Sequence, residues 1–315
     1  MTDEGSYLPG VSRESPAVVF VNAAAGGGRT GACLPRIQKL FTRHSFPAEF
    51  VVTETREQLE ERARTAIASG RRLLLAMGGD GTFQGLANAA FGSDVILGVL
   101  PAGGGNDFAN ALGLPKDPVS AAEAVLQGQP RWVDLVRART ADGRQRLYAG
   151  GGGVGLDAEA ARYTSGAFRR IPGRLRYIAS ALRALSEHQL LNVQIEFPET
   201  QFSPVEASAL LTGVLNTPTY GAGLRLAPGA VVDDGLLHVV LIEDLSAFGV
   251  LKLLPRLMGS GELHTSRVKR WCVERVRLIT DRPCLFHGDG EILGPTPVEI
   301  EVVPRAIQVL APASA

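Results

Sequence analysis

Short apolar runs alternate with longer segments of helical period through the first half of the chain. Ala17 to Val21 is continuously apolar and bounded by turn residues, which predicts a buried strand. Further strands are predicted over Ala48 to Thr53, Arg72 to Met77 and Val95 to Leu100. Helices are predicted over Leu34 to His44, Arg56 to Ser69, Phe83 to Ala90 and Val119 to Gln127. Strands that alternate with helices in this way pair in parallel, with helices on both faces of the sheet.

Beyond Trp132 strand-like segments dominate. They cover Val133 to Arg139, Arg146 to Ala149, Leu191 to Phe197, Val205 to Val214, Leu236 to Ile242, Ser266 to Val273 and Val276 to Thr280. Gly, Pro and Asp clusters separate them, as in an antiparallel sandwich. One helix, Arg174 to Glu187, interrupts the series, and Val298 to Leu310 reads as two short apolar runs around Pro304. The expectation is an α/β domain followed by an antiparallel β-sandwich.

Composition adds bounds to this picture. At 315 residues the chain is long for a single core. A formal net charge of zero gives no global field to draw nucleic acid or an anionic membrane, so no nucleic-acid partner is expected. Cys33, Cys272 and Cys284 match no metal-ligand spacing and read as reduced structural thiols, which favours a cytoplasmic compartment. Residues 1–16 are polar and rich in Ser, Gly and Pro, and read as a disordered tail without a signal-peptide pattern. No apolar stretch reaches the ~18 residues of a membrane span.

Candidate chemistry gathers at glycine turns. Gly26, Gly28 and Gly31 fit G-x-G-x-x-G between a strand and a helix, a weak dinucleotide signal in a chain with 37 glycines. No G-x-x-x-x-G-K-[ST] exists, which excludes a P-loop. Gly78-Gly79-Asp80-Gly81-Thr82 is sharper, because consecutive glycines let backbone amides face a polyphosphate and the next helix adds its positive end. An Asp there repels phosphate, so Asp80 is assigned to binding a metal, orienting an acceptor hydroxyl or taking its proton. Capping a helix would not require its four neighbours. Pro101 through Ala109, which includes Gly103, Gly104, Asn106 and Asp107, repeats the logic one strand later. Two such turns at one sheet edge mark a ligand site. In the second half, Asp233-Asp234-Gly235 reads as a tight turn, and His287-Gly288-Asp289-Gly290-Glu291 places paired carboxylates beside a histidine.

Taken in order, these motifs resemble the diacylglycerol kinase and sphingosine kinase superfamily, and its bacterial soluble lipid kinases in particular. Gly79-Asp80-Gly81-Thr82 is similar to the family's first motif, and Pro101 through Ala109 to its P-x-G-T-x-N-D-F-A. Gly153-Val154-Gly155-Leu156-Asp157, Asn216, Gly221-Ala222-Gly223, Pro228, Asp234-Gly235-Leu236-Leu237 and Asp289-Gly290-Glu291 follow in sequence. The resemblance spans about Val18 to Leu310.

It implies a nucleotide-binding α/β domain akin to NAD kinases and phosphofructokinases over residues 17–131, joined by about 303–312, and a lipid-substrate β-sandwich over 132–302, with the active site in the cleft between them. It implies an ATP-dependent kinase acting on a lipid hydroxyl. Asn22, Thr53, Gly78, Gly79, Asp80, Gly81, Thr82, Gly103, Gly104, Asn106 and Asp107 would hold ATP. Glu291 would accept the proton, with Asp80 and Asp289 as further catalytic candidates. Asp234, with the carbonyls of Val231 and Leu236, would hold Mg²⁺. The Arg-rich helix 174–187 reads either as an amphipathic helix packed on the sandwich or as an interfacial helix that engages anionic headgroups at a membrane surface, and the enzyme would be cytoplasmic and transiently membrane-associated. Three positions depart from the pattern: Asn22-Ala23-Ala24-Ala25-Gly26 replaces N-P-x-S-G, Gly104 replaces a hydroxyl residue, and Gln84-Gly85 replaces Asn-Glu. The rivals are an NAD kinase, a nucleotide-binding regulator with decayed catalysis, and a Rossmann oxidoreductase.

Overall fold

Four of the predicted segments become parallel strands in the computed structural model, which describes residues 8–155, 191–221, 223–245, 247–263 and 265–313. The chain divides into two units, Met1–Val133 with Arg305–Ala315 and Asp134–Pro304. In the first unit β1 (Ala17–Val21) lies between β2 (Ala48–Val52) and β3 (Leu73–Gly78), and β3 is followed by β4 (Ile96–Pro101). β1, β3 and β4 are buried along their whole length, which is why they read as unbroken apolar runs. β2 is the edge strand and is only partly buried.

The helices of this unit are α1 (Arg29–Arg43), α2 (Arg56–Ala68), α3 (Asp80–Ala90), α4 (Asp107–Ala111) and α5 (Pro118–Leu126). Thr55 caps α2 through the Gln58 amide, and Asp117 caps α5 through Val119 and Ser120 with Pro118 in the first turn. The amide of Ser120, ahead of the other contacts, holds the Asp117 carboxyl below the usual carboxylate range. Two expectations are corrected here. α1 begins at Arg29 rather than Leu34, because its first turn is polar and carries no apolar period. Residues 8–16 are not a loose tail: Leu8 and Ser12 accept turn hydrogen bonds from Val11 and Ser15, and Val11 is buried.

β5 (Gln129–Thr140) leads from the first unit into the second, whose strand pairs are antiparallel. There follow β6 (Gln145–Tyr148), β7 (Gly151–Gly155), β8 (Leu191–Glu196), β9 (Val205–Leu215) and β10 (Leu237–Glu243). Next come α6 (Ala247–Met258), β11 (Val268–Val273), β12 (Arg275–Thr280), β13 (Leu285–Gly288), β14 (Glu291–Pro295) and β15 (Val298–Ala311). β9 pairs with β8 through its first half and with β7 through its second, while β10 runs along its other side. That sharing folds the strands around a core that includes Val136, Tyr148, Ile195, Val239, Leu278 and Phe286. A second cluster, with Leu210, Leu215 and Val240, is covered by Leu253 and Leu257 of α6.

α6 went unpredicted because Gly249 and Pro255 interrupt its apolar pattern. β15 continues through Pro304 as one strand rather than two runs, and its last residues pair in parallel with β4. The helix expected over 174–187, together with Leu156 and Asp157, lies outside the described residues.

Candidate functional site

The parallel strands of the first unit end level with one another, since Val21 pairs with both Val52 and Met77, and Gly78 with Pro101. Asn22, Thr53, Gly79 and Ala102 therefore leave the sheet along one edge. The turns that follow are stitched together. The Gly78 carbonyl accepts the amides of Ala102 (2.8 Å) and Gly103 (3.0 Å). Asn22 Nδ2 donates to Thr82 Oγ1 at 3.4 Å, and the Thr53 amide donates to the Val21 carbonyl. A Cβ on Gly103 would stand 2.4 Å from Gly79 Cα, so the second and third turns touch backbone to backbone. A Cβ on Gly26 would stand 2.2 Å from the Ala102 carbonyl oxygen. The first glycine run thus packs on the same cluster.

Asp80 opens α3, and its Oδ1 accepts the Phe108 amide at 3.2 Å. It satisfies the start of α4, in the other turn. Phe83 and Phe108 stack behind it with centroids 4.6 Å apart, an arrangement that contributes about 1 kcal/mol beyond burial. Asn106 has φ 57° and uses both ends of its amide on Gly103, accepting from its N–H (3.0 Å) and donating to its carbonyl (3.1 Å). Asn106 therefore shapes the turn. The starts of α3 and α4, with Gly79, Gly81, Gly103 and Gly104 around them, set backbone amides and helix dipoles at this edge, as a polyphosphate requires. Thr82 and Asp107 are buried within it. Gly85, one of the departures noted above, faces Leu59 and Arg56 of α2, where a Cβ would already be 3.3 Å from Leu59.

In the second unit Asp289 and Gly290 form the two-residue turn between β13 and β14, with φ 52° and 83°. Positive φ at both positions is what a primed hairpin turn demands. The Asp289 carboxylate is turned onto the backbone that follows β6. Oδ2 accepts from Ala149 (2.8 Å), and Oδ1 from Gly150 (2.9 Å) and Gly151 (3.3 Å). Burial, and secondarily the Asp289 charge, push the Tyr148 hydroxyl well above its ordinary pKa, and that hydroxyl donates to the Val214 carbonyl. Glu291 follows directly as the half-buried first residue of β14.

The turn that carries Asp234 is held from below by Asp134. The Asp134 amide donates to the Val232 carbonyl, and Asp134 Oδ2 accepts the Gly235 amide, both at 2.7 Å. Asp234 itself is exposed. Its Oδ1 accepts the Leu236 amide at 2.9 Å, and its Oδ2 lies 3.4 Å from His238 Nε2. Cys272 Sγ lies on the other side of that imidazole, 3.5 Å from Nδ1, and burial followed by the Asp234 charge raises its pKa.

The catalytic candidates divide between the units: Asp80 in the first, Asp289 and Glu291 in the second. The nucleotide candidates Asn22, Thr53, Gly78 to Thr82 and Gly103 to Asp107 all gather at one sheet edge. Asp289 serves as a backbone clamp, which the pairing of two carboxylates did not signal. Asp134 was missed altogether. Its signal was present as a lone acid inside the apolar run Val133-Asp134-Leu135-Val136.

Residues 16–138 match the diacylglycerol kinase catalytic domain family, and residues 152–311 match the YegS C-terminal NAD kinase beta sandwich-like domain family. The chain belongs to the diacylglycerol kinase and YegS lipid kinase family. This kinase is 32% identical over 249 residues to "Diacylglycerol kinase" of Mycobacterium tuberculosis, covering 78% of this chain and 79% of that one. It is also 32% identical over 250 residues to "Probable lipid kinase YegS-like" of Pseudomonas aeruginosa, covering 79% of each. Its fold is that of a crystallised diacylglycerol kinase of Bacillus anthracis, at TM-score 0.70 and 19% identity over 94% of this chain and 97% of the other. The glycine run at Gly26 to Gly31 accordingly serves a kinase and not a dinucleotide fold. Among the described residues, no helix is long and apolar enough to cross a membrane.

Proposed function

We propose that this lipid kinase transfers the γ-phosphate of ATP to a lipid hydroxyl, with diacylglycerol as the first acceptor to test. The observation that carries the nucleotide assignment is the convergence of three glycine turns and two helix starts on one sheet edge. Backbone amides there would take up the phosphate charge, which is the main catalytic task in phosphoryl transfer. Asp80 joins the second and third turns and holds them in register around the phosphates. Glu291 orients the acceptor hydroxyl and takes its proton late. Positioning of the hydroxyl against the phosphate is the main part of that role.

Asp234 with the carbonyls of Val231 and Leu236 makes an all-oxygen donor set on an exposed turn, which suits a hard cation such as Mg²⁺. Those three residues would hold the ion, which supplies countercharge when bound. The acceptor is met at a membrane surface from the cytoplasm.

The test is ATP consumption by the purified protein with Mg²⁺, across detergent-dispersed lipids that include diacylglycerol, with NAD as a comparison. Turnover with a lipid alcohol is expected. Turnover with NAD alone would overturn the lipid assignment.

A further inference from the structure

Asn216 closes β9 and is completely buried, and no reaction chemistry needs an amide there. Its backbone amide donates to the Gly150 carbonyl at 2.7 Å. Its side-chain Nδ2 donates twice, to the Asp134 carbonyl (3.2 Å) and the Ala149 carbonyl (3.0 Å). Both partners are acceptors, so the orientation of the amide is fixed by its surroundings. Those two carbonyls belong to different loop supports. Asp134 carries the turn of Asp234 through Val232 and Gly235, and the Ala149–Gly151 amides carry Asp289, one turn residue from Glu291.

We propose that Asn216 is a positioning residue of the phosphoryl transfer, which sets the loop of Glu291 against the loop of Asp234. The inference rests on the roles given above to those two acids. A single buried side chain bridges the supports, so any slack it admits is passed to both loops. Displacements near 1 Å at a reacting group cost on the order of a hundredfold in rate.

The experiment compares Asn216→Leu and Asn216→Asp with the parent protein and with Glu291→Gln. It measures kcat, KM for ATP and the melting temperature at each pH. Asn216→Leu keeps the number and branching of the side-chain heavy atoms and removes both donors. Its kcat should fall by about tenfold or more, with KM for ATP within about twofold and the melt still above the assay temperature. Asn216→Asp sets a carboxylate against two carbonyls at neutral pH, and protonation restores one donor. Burial and the facing carbonyls raise the pKa of that carboxyl. Its activity relative to the parent should therefore climb as pH falls from about 8 to about 6.

Parental kcat in both variants, a loss confined to KM for ATP, or an Asn216→Asp activity that does not climb as pH falls would overturn the proposal. If Asn216→Leu melts below the assay temperature, the pH profile of Asn216→Asp decides alone. Glu291→Gln separates the two readings. If it retains parental kcat, the assignment of Glu291 fails whatever Asn216 shows. If it is inactive while both Asn216 variants are unimpaired, only the present inference falls.

Discussion

Replacing Asp289 by Ala tests whether the Asp of the second-unit D-G-E motif is a chemical group or a clamp. The carboxylate accepts three backbone amides at 2.8, 2.9 and 3.3 Å. A hydrogen bond to a charged group contributes about 1.5–3 kcal/mol. Two of these share Oδ1, the third contact is long, and water would reach part of the opened turn. The net loss is then about 2–4 kcal/mol, below the simple sum. In a unit of this size that lowers the melting temperature by about 5–15 °C. Asp289→Asn keeps one acceptor oxygen but turns an NH₂ toward one of the amides, so it should lose about half as much.

Glu291→Gln should behave in the opposite way. It should leave the melt almost unchanged and lower kcat by about a hundredfold or more, the range of a lost proton acceptor. The assay is a thermal melt paired with kcat normalised to folded protein. An Asp289→Ala variant with parental melting temperature would refute the clamp. An Asp289→Asn variant that melts normally yet does not turn over would return Asp289 to the chemistry.

Two further outcomes are expected. Gly103→Ala drives a Cβ to within 2.4 Å of Gly79 Cα, so the turns must separate. KM for ATP should rise by about tenfold, with about 1–3 kcal/mol of stability lost to overpacking, read from kinetics and a denaturant melt. Burial raises the Tyr148 pKa in the folded state above its unfolded value of about 10, so its contribution to stability is complete below that pH and is lost as pH rises past it. Tyrosinate absorbance from Tyr148 should appear only together with alkaline unfolding, and a Tyr148→Phe difference spectrum that shows titration in the folded protein would contradict this.

The α/β unit was legible because its inner strands are buried on both faces and its turns are rich in glycine. Val18 to Val21 and Leu73 to Met77 admit few other readings. The second unit was harder. β7 is Gly151-Gly152-Gly153-Val154-Gly155, a strand with almost no side chains to show a period. At Gly151 the side chains of Tyr220 and Leu215, and at Gly152 Phe286 and the His287 carbonyl, occupy the space a Cβ would need. α6 carries Gly249 and Pro255, and its Leu257 shares a core cluster with Leu210 and Leu215. Such elements are set by tertiary contact, and no local pattern reports it.

The acids show the same limit in the site itself. A carboxylate beside glycines in a loop has two physical explanations. It can serve a ligand or a reaction, or it can accept backbone amides that irregular structure leaves without partners. Sequence position alone does not separate them, because both uses call for an acid among glycines. Asp80 accepts the Phe108 amide and Asp289 the amides of Ala149 to Gly151, and Asp134, on a strand with no glycine beside it, accepts the Gly235 amide in the same way. In each case the carboxylate joins two segments distant in sequence. Membership of a motif therefore does not by itself assign an acid to chemistry. The stronger catalytic candidate is Glu291, whose neighbour Asp289 already anchors the turn and leaves the next carboxylate on a fixed strand start.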